Sequence, residues 1–465
     1  MAEVTNSTQA SIRKHSVLTY LSFAFLIFGI NGMQIAVLQN YTIFYQVQVG
    51  LDIGLMFLAG IVYTVWDMFN DPFIGHISDR NNRFTRRWGK RFPWLVIGTI
   101  GLLFAVVLLF LSPTVSIAGS LFTFLWFLVF LSVYDGILSA ILVNYKALVP
   151  NKFKSKEERT LISTFIQFFM ILGPFIGLII APILLRISYV AMALFLAGFV
   201  FVSYVLSLPG LREDEELKEV YFREEVHPTP FFSEFISNIK QSFRERSFVV
   251  LAIVTVCITV ASTLVNTSIP YYIVYNLEWE REMQAIINMP FVLMSVLPIP
   301  IFFWLIKKFG HAKAFKYSLL LLPIPLLMMF ISFGDFMVVL IGAGIYGFIG
   351  GIMVIAQIPV QADFFDESAV KYHKRQEGVY LGIWNFFGRL NTAIQLGILF
   401  MIQSFFGFNA GATTQTVLAK WGIMIHFTLI PAIFLFIGAI VFLKYWYLTP
   451  DKIKPIKDEL ERLGL

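Results

Sequence analysis

Two aspartates, Asp67 and Asp71, stand four residues apart in the apolar segment that ends in WDMFNDPFIGHISDR (residues 66–80), with Asn70 between them. Residues spaced i,i+3 and i,i+4 share one helical face, so two carboxylates and an amide oxygen are presented together. At 1.5 Å per residue, Asp67 lies about 18 Å from Asp79 in the following loop, near mid-membrane, and Asp71 about one turn nearer that loop. A hard, oxygen-rich cluster suits Na⁺, Li⁺ or a proton and does not suit a soft metal. If the ion is Na⁺, Asp67 and Asp71 are its carboxylate ligands. Burying two like charges without a cation is costly, and an ionisable group at the bilayer centre costs at least about 2.5–3.5 kcal/mol. The blander alternative is that the carboxylates pair with a buried cationic side chain or satisfy backbone freed by Pro72. Arg389 is a candidate partner, because it lies about 18 Å from Glu377 at the start of its own helix, again at mid-depth. Competition among Arg389, the aspartates and a small cation would couple ion binding to a conformational change. A static ion pair is the alternative.

Other polar residues interrupt the apolar runs. Asp135 falls mid-way along the fourth run and Lys146 near its end. Lys146 either snorkels to the interface or faces a substrate, whereas Asp135 has no such escape. Asn31, Gln34, Gln167, Trp384 and Asn385 complete a candidate substrate lining, with Asn266, Gln357, Gln361 and Gln395 as further polar positions. Each amide has the simpler reading of a helix–helix hydrogen bond. The chain has no Gly-rich phosphate loop, no HExxH and no CxxC, and its six histidines are scattered. No enzyme activity and no cofactor are therefore expected, and the lone His426 reads as a packed polar residue. The single cysteine, Cys257, excludes a disulfide framework and a thiolate metal site.

These residues must be positioned by membrane-spanning helices. Of the 465 residues, 58% are hydrophobic and only 14% charged, with fifty phenylalanines; mean hydropathy is +0.76. Soluble domains carry roughly 25% charged residues, so the composition is that of a polytopic membrane protein. Crossing the hydrocarbon takes about 20 apolar residues per helix, and lipid leaves no water to satisfy backbone polar groups outside helices. Twelve spans are expected, at 17–46, 51–77, 93–112, 118–149, 160–185, 188–208, 248–275, 283–306, 314–332, 335–362, 379–406 and 417–447. The first is too long for a signal-peptide core and follows a short polar tail.

The longest charged stretch, residues 212–246, separates the sixth and seventh spans. The expected organisation is an N-terminal six-helix half (1–210), a central loop (211–247), a C-terminal six-helix half (248–447) and a tail (448–465). The halves echo weakly, since GHISDRNNRFTRRWGKRFP follows the second span and KKFGHAKAFK follows the eighth. Such repeats mark transporters whose halves rock about a central site. Lysine and arginine concentrate in alternate loops, which places both termini in the cytoplasm of a plasma-membrane protein. The net charge of +6 reflects those short basic loops and not a nucleic-acid surface. A monomer in the bilayer is expected, with a small-molecule substrate and a monovalent cation as its ligands.

The segment WDMFNDPFIGHISDRNNRFTRRWGKRFPWLVIGT resembles the helix 2–loop–helix 3 signature of the glycoside–pentoside–hexuronide:cation symporters of the major facilitator superfamily. YKALVPNKFKSKEERT, ADFFDESAVKYHKRQEG and NAGATTQTVLAKWGIMIHFTLIPAIFLF extend the resemblance along nearly the whole chain. It implies an all-α major facilitator fold and symport of a sugar with Na⁺ or H⁺. The family's cation-site carboxylates fall on Asp67 and Asp71, its asparagine on Asn70, and a helix 4 hydroxyl on Ser139. A family lysine in helix 11 is replaced by Arg389, which cannot readily deprotonate but can still balance charge. The resemblance also makes Asp79, Arg80, Arg86 and Arg87 part of a cytoplasmic gating loop.

The family's sugar site carries over less well. Its helix 1 aspartate falls on Asn31, its helix 4 aspartate on Leu142, its stacking tryptophan on Lys146 and its helix 5 arginine on Gln167. Asp135, two turns before Leu142 on the same face, is a displaced polar anchor in this reading. These departures argue against a galactoside and tilt the expectation toward an acidic glycoside such as a hexuronide. The alternative is a lysolipid or other amphiphile carried by the same fold.

Overall fold

A computed structural model describes residues 15–78, 85–215, 217–218 and 238–463. Every regular element described is helical. In the first half the long helices are α1 (Val17–Ile43), α2 (Ile53–Ser78), α3 (Phe92–Phe110), α4 (Ser120–Lys152), α5 (Lys156–Phe175) and α6 (Tyr189–Leu211). The second half holds α7 (Arg246–Tyr271), α8 (Gln284–Val296), α9 (Ile299–Phe309), α10 (His311–Leu321), α11 (Pro323–Ile331) and α12 (Phe336–Tyr372). It continues through α13 (Glu377–Gly388), α14 (Asn391–Phe405), α15 (Val417–Met424), α16 (Ile430–Tyr445) and a terminal α17 (Pro450–Leu463).

Local sequence explains several boundaries. Ser16, Ser155, Ser188 and Asp335 each accept a hydrogen bond from a backbone N–H of the first turn of α1, α5, α6 and α12. Gly50, at φ +82°, ends the wide turn Phe44–Val49 that extends α1. Pro298 and Pro300 cannot donate to a continuing helix, and α8 and α9 meet there at 48°.

Among the described residues, ten helices are long and apolar enough to cross a membrane, or eleven if the bent pair around Pro298 is one span. The expected span at 379–406 is the one missing from that set. It is divided at Arg389–Leu390 into α13 and α14, each shorter than the roughly 20 residues that a crossing needs. The protein is an all-α multi-pass membrane protein.

The same packing scheme occurs twice. In the first half α1 packs on α5 and α6, α4 packs on α2 and α3, and α3 packs on α6. In the second half α7 packs on α14 and α16, α12 packs on α8 and α10, and α10 packs on α16. Helix α1 crosses α7, and α2 lies along α14.

Glycine permits the closest crossings. A Cβ on Gly177 would stand 2.1 Å from the Gly32 carbonyl oxygen, and one on Gly210 2.2 Å from the Phe23 nitrogen. Backbone atoms cannot swing aside as a side-chain tip can. Gly177→Ala is therefore expected to cost about 1–3 kcal/mol through forced separation of α1 and the end of the fifth span. It should appear as a lowered melting temperature in detergent, with Gly198→Ala, which meets nothing within 4 Å, as the silent control.

Candidate functional site

Helix α2 brings Asp67, Asn70 and Asp71 to one face, as the spacing requires, and α4 packs on α2 with Asp135 toward them; Ser139, one turn further along α4, is buried. Arg389 enters from the break between α13 and α14. Its Nη1 lies 2.8 Å from Asp67 Oδ1 and 3.7 Å from Asp135 Oδ1, and its Nη2 donates to Asp71 Oδ2 at 2.5 Å. Asn70 Nδ2 donates to Asp135 Oδ2 at 3.2 Å. Asp135, expected on the substrate path, thus sits in the carboxylate cluster, because one turn of α4 packs directly against Asn70.

One guanidinium faces three carboxylates, so two negative charges are left over if all three are ionised. Asp67, Asn70, Asp135 and Ser139 are buried, whereas the Asp71 and Arg389 side chains are 30% and 26% exposed. The cluster therefore has a dry interior and an accessible flank. Asn70 Oδ1 and Asp71 Oδ1 are buried without a hydrogen-bond donor, and Asp67 Oδ1 meets Arg389 at ion-pair distance without hydrogen-bond alignment. Buried oxygens of this kind are normally satisfied, so the site fits a small hard cation. Among the described residues no three His, Cys, Asp or Glu side chains are arranged to hold a metal. A Na⁺ site here would consequently be completed by amide and hydroxyl oxygens. One such hydroxyl escaped the sequence reading: Thr64, three residues before Asp67 on the same face, is buried with its Oγ1 unpartnered. An aligned i−3 threonine is the sequence signal that marks it.

At Arg389 the helix tightens, with Arg389 N–H bonded to the Asn385 carbonyl and Leu390 N–H to the Phe387 carbonyl. The arginine that pairs with the cluster thus sits at the discontinuity between α13 and α14, and α14 lies along α2.

The expected substrate residues are only partly gathered. Asn31, Gln34 and Lys146 line a cavity of about 360 Å³, together with the apolar Ile27, Leu142, Ile166 and Met170. Lys146 is exposed there and forms no ion pair among the described residues. The Asn31 amide donates to the Met170 carbonyl at 2.5 Å, so it ties α1 to α5. Gln167 is exposed on the same stretch of α5 but does not line the cavity. Asn385 is exposed, and Trp384 is buried away from this cavity, stacked on Phe248 at 5.5 Å. Gln395 has its simpler reading, accepting from Tyr41 and donating to Thr267.

Besides the Arg389 cluster and the Tyr41–Gln395 bond, a further set of polar contacts joins the halves at the end opposite the basic loops. Gln39 and Asn288 exchange amide hydrogen bonds at 3.2 and 3.1 Å, and Asn288 also donates to the Leu178 carbonyl. Gln46 donates to Gln403 at 2.6 Å and accepts from Tyr271 at 2.6 Å, and Arg281 donates to Gln48 at 3.0 Å. The bundle is thereby closed at that end.

Asp79 and Arg80 of the expected gating loop lie outside the described residues, as does the Arg86 side chain; Arg87 is exposed. The sequence reading missed Glu213, whose carboxylate accepts the backbone N–H groups of Lys90, Arg91 and Phe92 at 3.1, 2.6 and 2.8 Å. It caps α3 from 120 residues away, where a negative charge complements the helix dipole. No local signal singles it out within an acidic run.

Comparison with known proteins bears on the family and the fold. A family model described as "MFS/sugar transport protein" matches residues 22–447. The mouse sodium-dependent lysophosphatidylcholine symporter 1 is 23% identical across 86% of this chain and 79% of its own length. The raffinose carrier protein of Pediococcus pentosaceus is 22% identical across 88% of this chain and 65% of its own. Among solved structures, the nucleoside transporter NupG superposes with a TM-score of 0.64 at 12% identity, covering 92% of this chain and 99% of that one. That likeness is one of fold.

Proposed function

The chain belongs to the MFS/sugar transport protein family, and from that premise we propose that it is a cation-coupled symporter moving a glycoside or related sugar by alternating access. The observation that carries the coupling is the set of three aspartates held by one arginine. Cation entry supplies positive charge to Asp67, Asp71 and Asp135 and loosens their hold on Arg389. Because Arg389 stands at the break between α13 and α14, releasing it changes how α14 lies along α2. A ligand drives such a change only through its different affinity for the two states, and the aspartates supply that difference. Na⁺ and H⁺ are both compatible with the donors. Sodium is favoured by the name of the mouse relative.

The sugar reading draws on the family and on the raffinose carrier. Lys146, a cation in the cavity without an ion pair among the described residues, favours an acidic glycoside such as a hexuronide. The apolar remainder of the same lining and the mouse relative support a second reading, a lysolipid or amphiphile. The alternation of basic loops supports a plasma-membrane location with both termini cytoplasmic, and in that orientation the cavity at Lys146 opens toward the cytoplasm.

The test is uptake by proteoliposomes under an imposed Na⁺ or H⁺ gradient, using a uronide, its neutral glycoside analogue and a lysolipid. Gradient-driven uronide accumulation is expected. Lys146→Gln is expected to reduce uronide uptake by roughly tenfold, the worth of one charge-assisted contact, and to spare the neutral analogue. Equal loss of both would remove Lys146 from recognition. Uptake of lysolipid alone would replace the sugar reading with the second one.

A further inference from the structure

A second cavity lies far from the carboxylate cluster, between the α9–α10 turn and the terminal helix α17. It measures about 360 Å³ and is lined by His311, Lys313, Lys454, Lys457, Asp458 and the ring of Phe309. Three lysines contributed by two separate elements converge on it. None of the three forms an ion pair among the described residues. The acidic groups nearby are Asp458 on the rim, Asp363, which is engaged by His311 Nε2 at 2.6 Å, and Asp366, within electrostatic reach of Lys457. Of the groups that line the cavity itself, three lysines face the single carboxylate of Asp458, so the lining keeps a positive excess.

Phe309, the aromatic ring in its lining, ends a helix whose exposed side is rich in aromatics. Phe309, Trp304 and Phe303 are 50%, 56% and 59% exposed along α9, and Lys308 Nζ stands 4.8 Å over the Trp304 ring. Exposed aromatics interleaved with lysine at the end of a spanning helix mark the membrane–water interface. Helix α17 packs on α12 through the buried Ile453 and Leu460 and leaves Lys454 and Lys457 exposed, on the cavity that Phe309 also lines.

We propose that this cleft holds the phosphate headgroup of an anionic phospholipid, with Lys313, Lys454 and Lys457 around the phosphate and the acyl chains lying along Phe309 and Trp304. A water-soluble anion would use the lysines and leave the aromatic edge without a role. The aromatic edge selects the lipid. Binding there fastens α17 to the end of α9, which stabilises the second half without touching the transport path.

The test measures the melting temperature of the full-length protein in detergent with added phosphatidylglycerol, phosphatidylcholine or inorganic phosphate. Phosphatidylglycerol is expected to stabilise the wild type well above phosphatidylcholine, and phosphate alone to do little. Replacing Lys313, Lys454 and Lys457 together by Gln is expected to weaken phosphatidylglycerol binding on the order of 10- to 100-fold, since each lysine near the surface contributes about a tenfold or smaller factor. Replacing all three by Arg should retain the preference. Should the triple Gln variant fold poorly, Lys454→Gln with Lys457→Gln on the exposed helix serves the same purpose. Equal stabilisation of the wild type by the two lipids, or a Gln variant that keeps the preference, would overturn the site. Full stabilisation by millimolar inorganic phosphate would overturn the lipid assignment.

Discussion

Asp67→Asn is expected to reduce gradient-driven uptake to background. The carboxylate is buried, and its Oδ1 is 2.8 Å from the only cation found with it among the described residues. A unit charge about 4 Å from a bound cation contributes up to about 4 kcal/mol at the effective dielectric of a protein, so its loss lowers cation affinity by up to roughly three orders of magnitude. The amide keeps the shape and one oxygen but not the charge. Asp71→Asn should lose less, because its side chain is 30% exposed and water screens it. The measurement is the cation concentration for half-maximal uptake in proteoliposomes, together with thermal stability. If Asp67 were only a static partner of Arg389, Asp67→Asn would lower stability and leave the cation dependence of uptake unchanged. That outcome would sink the coupling role.

Arg389→Gln should have the opposite signature. Removing it leaves Asp67, Asp71 and Asp135 facing one another with no protein cation, and breaking a buried pair this way costs about 3–5 kcal/mol. The variant should therefore melt several degrees lower than wild type in Na⁺-free buffer. Added Na⁺ should restore it, because a ligand that binds the folded state stabilises by mass action. Cation affinity should rise, since the competing guanidinium is gone, while transport falls because nothing couples the empty site to α14. Arg389→Lys should lie between, keeping the charge but losing the fork that spans Asp67 and Asp71. Equal stability of Arg389→Gln and wild type without Na⁺, and no response to Na⁺, would show that Arg389 is not the counter-ion.

The two variants separate charge supply from charge competition, a distinction that depends on the three-dimensional cluster. Spacing alone placed Asp67, Asn70 and Asp71 on one face, because helical periodicity is a local property of the chain. Depth arithmetic placed Arg389 at the same level as the aspartates, and the structure pairs them. Asp135 was legible as a carboxylate mid-way along the fourth span, but the family resemblance assigned it to the substrate. Which neighbour a residue meets across a helix–helix contact depends on the rotation of both helices, and periodicity within one helix carries no such information. Trp384 shows the same gap: its place on α13 was legible, and its burial against Phe248 was not.

What the sequence by itself determined is the membrane character, nearly all of the spans, the family and the charged face of α2. Each of these is written in composition or in residues close together along the chain. Only the tertiary structure decided that Asp135 joins the carboxylates, that Arg389 occupies a helix break, that Glu213 caps α3 from the far end of the half, and that the bundle is closed by Gln39, Gln46 and Asn288. Apart from the helix break, these contacts join residues more than 50 positions apart, and their geometry is settled by close packing of whole helices. No stretch of sequence records how two helices are turned toward each other.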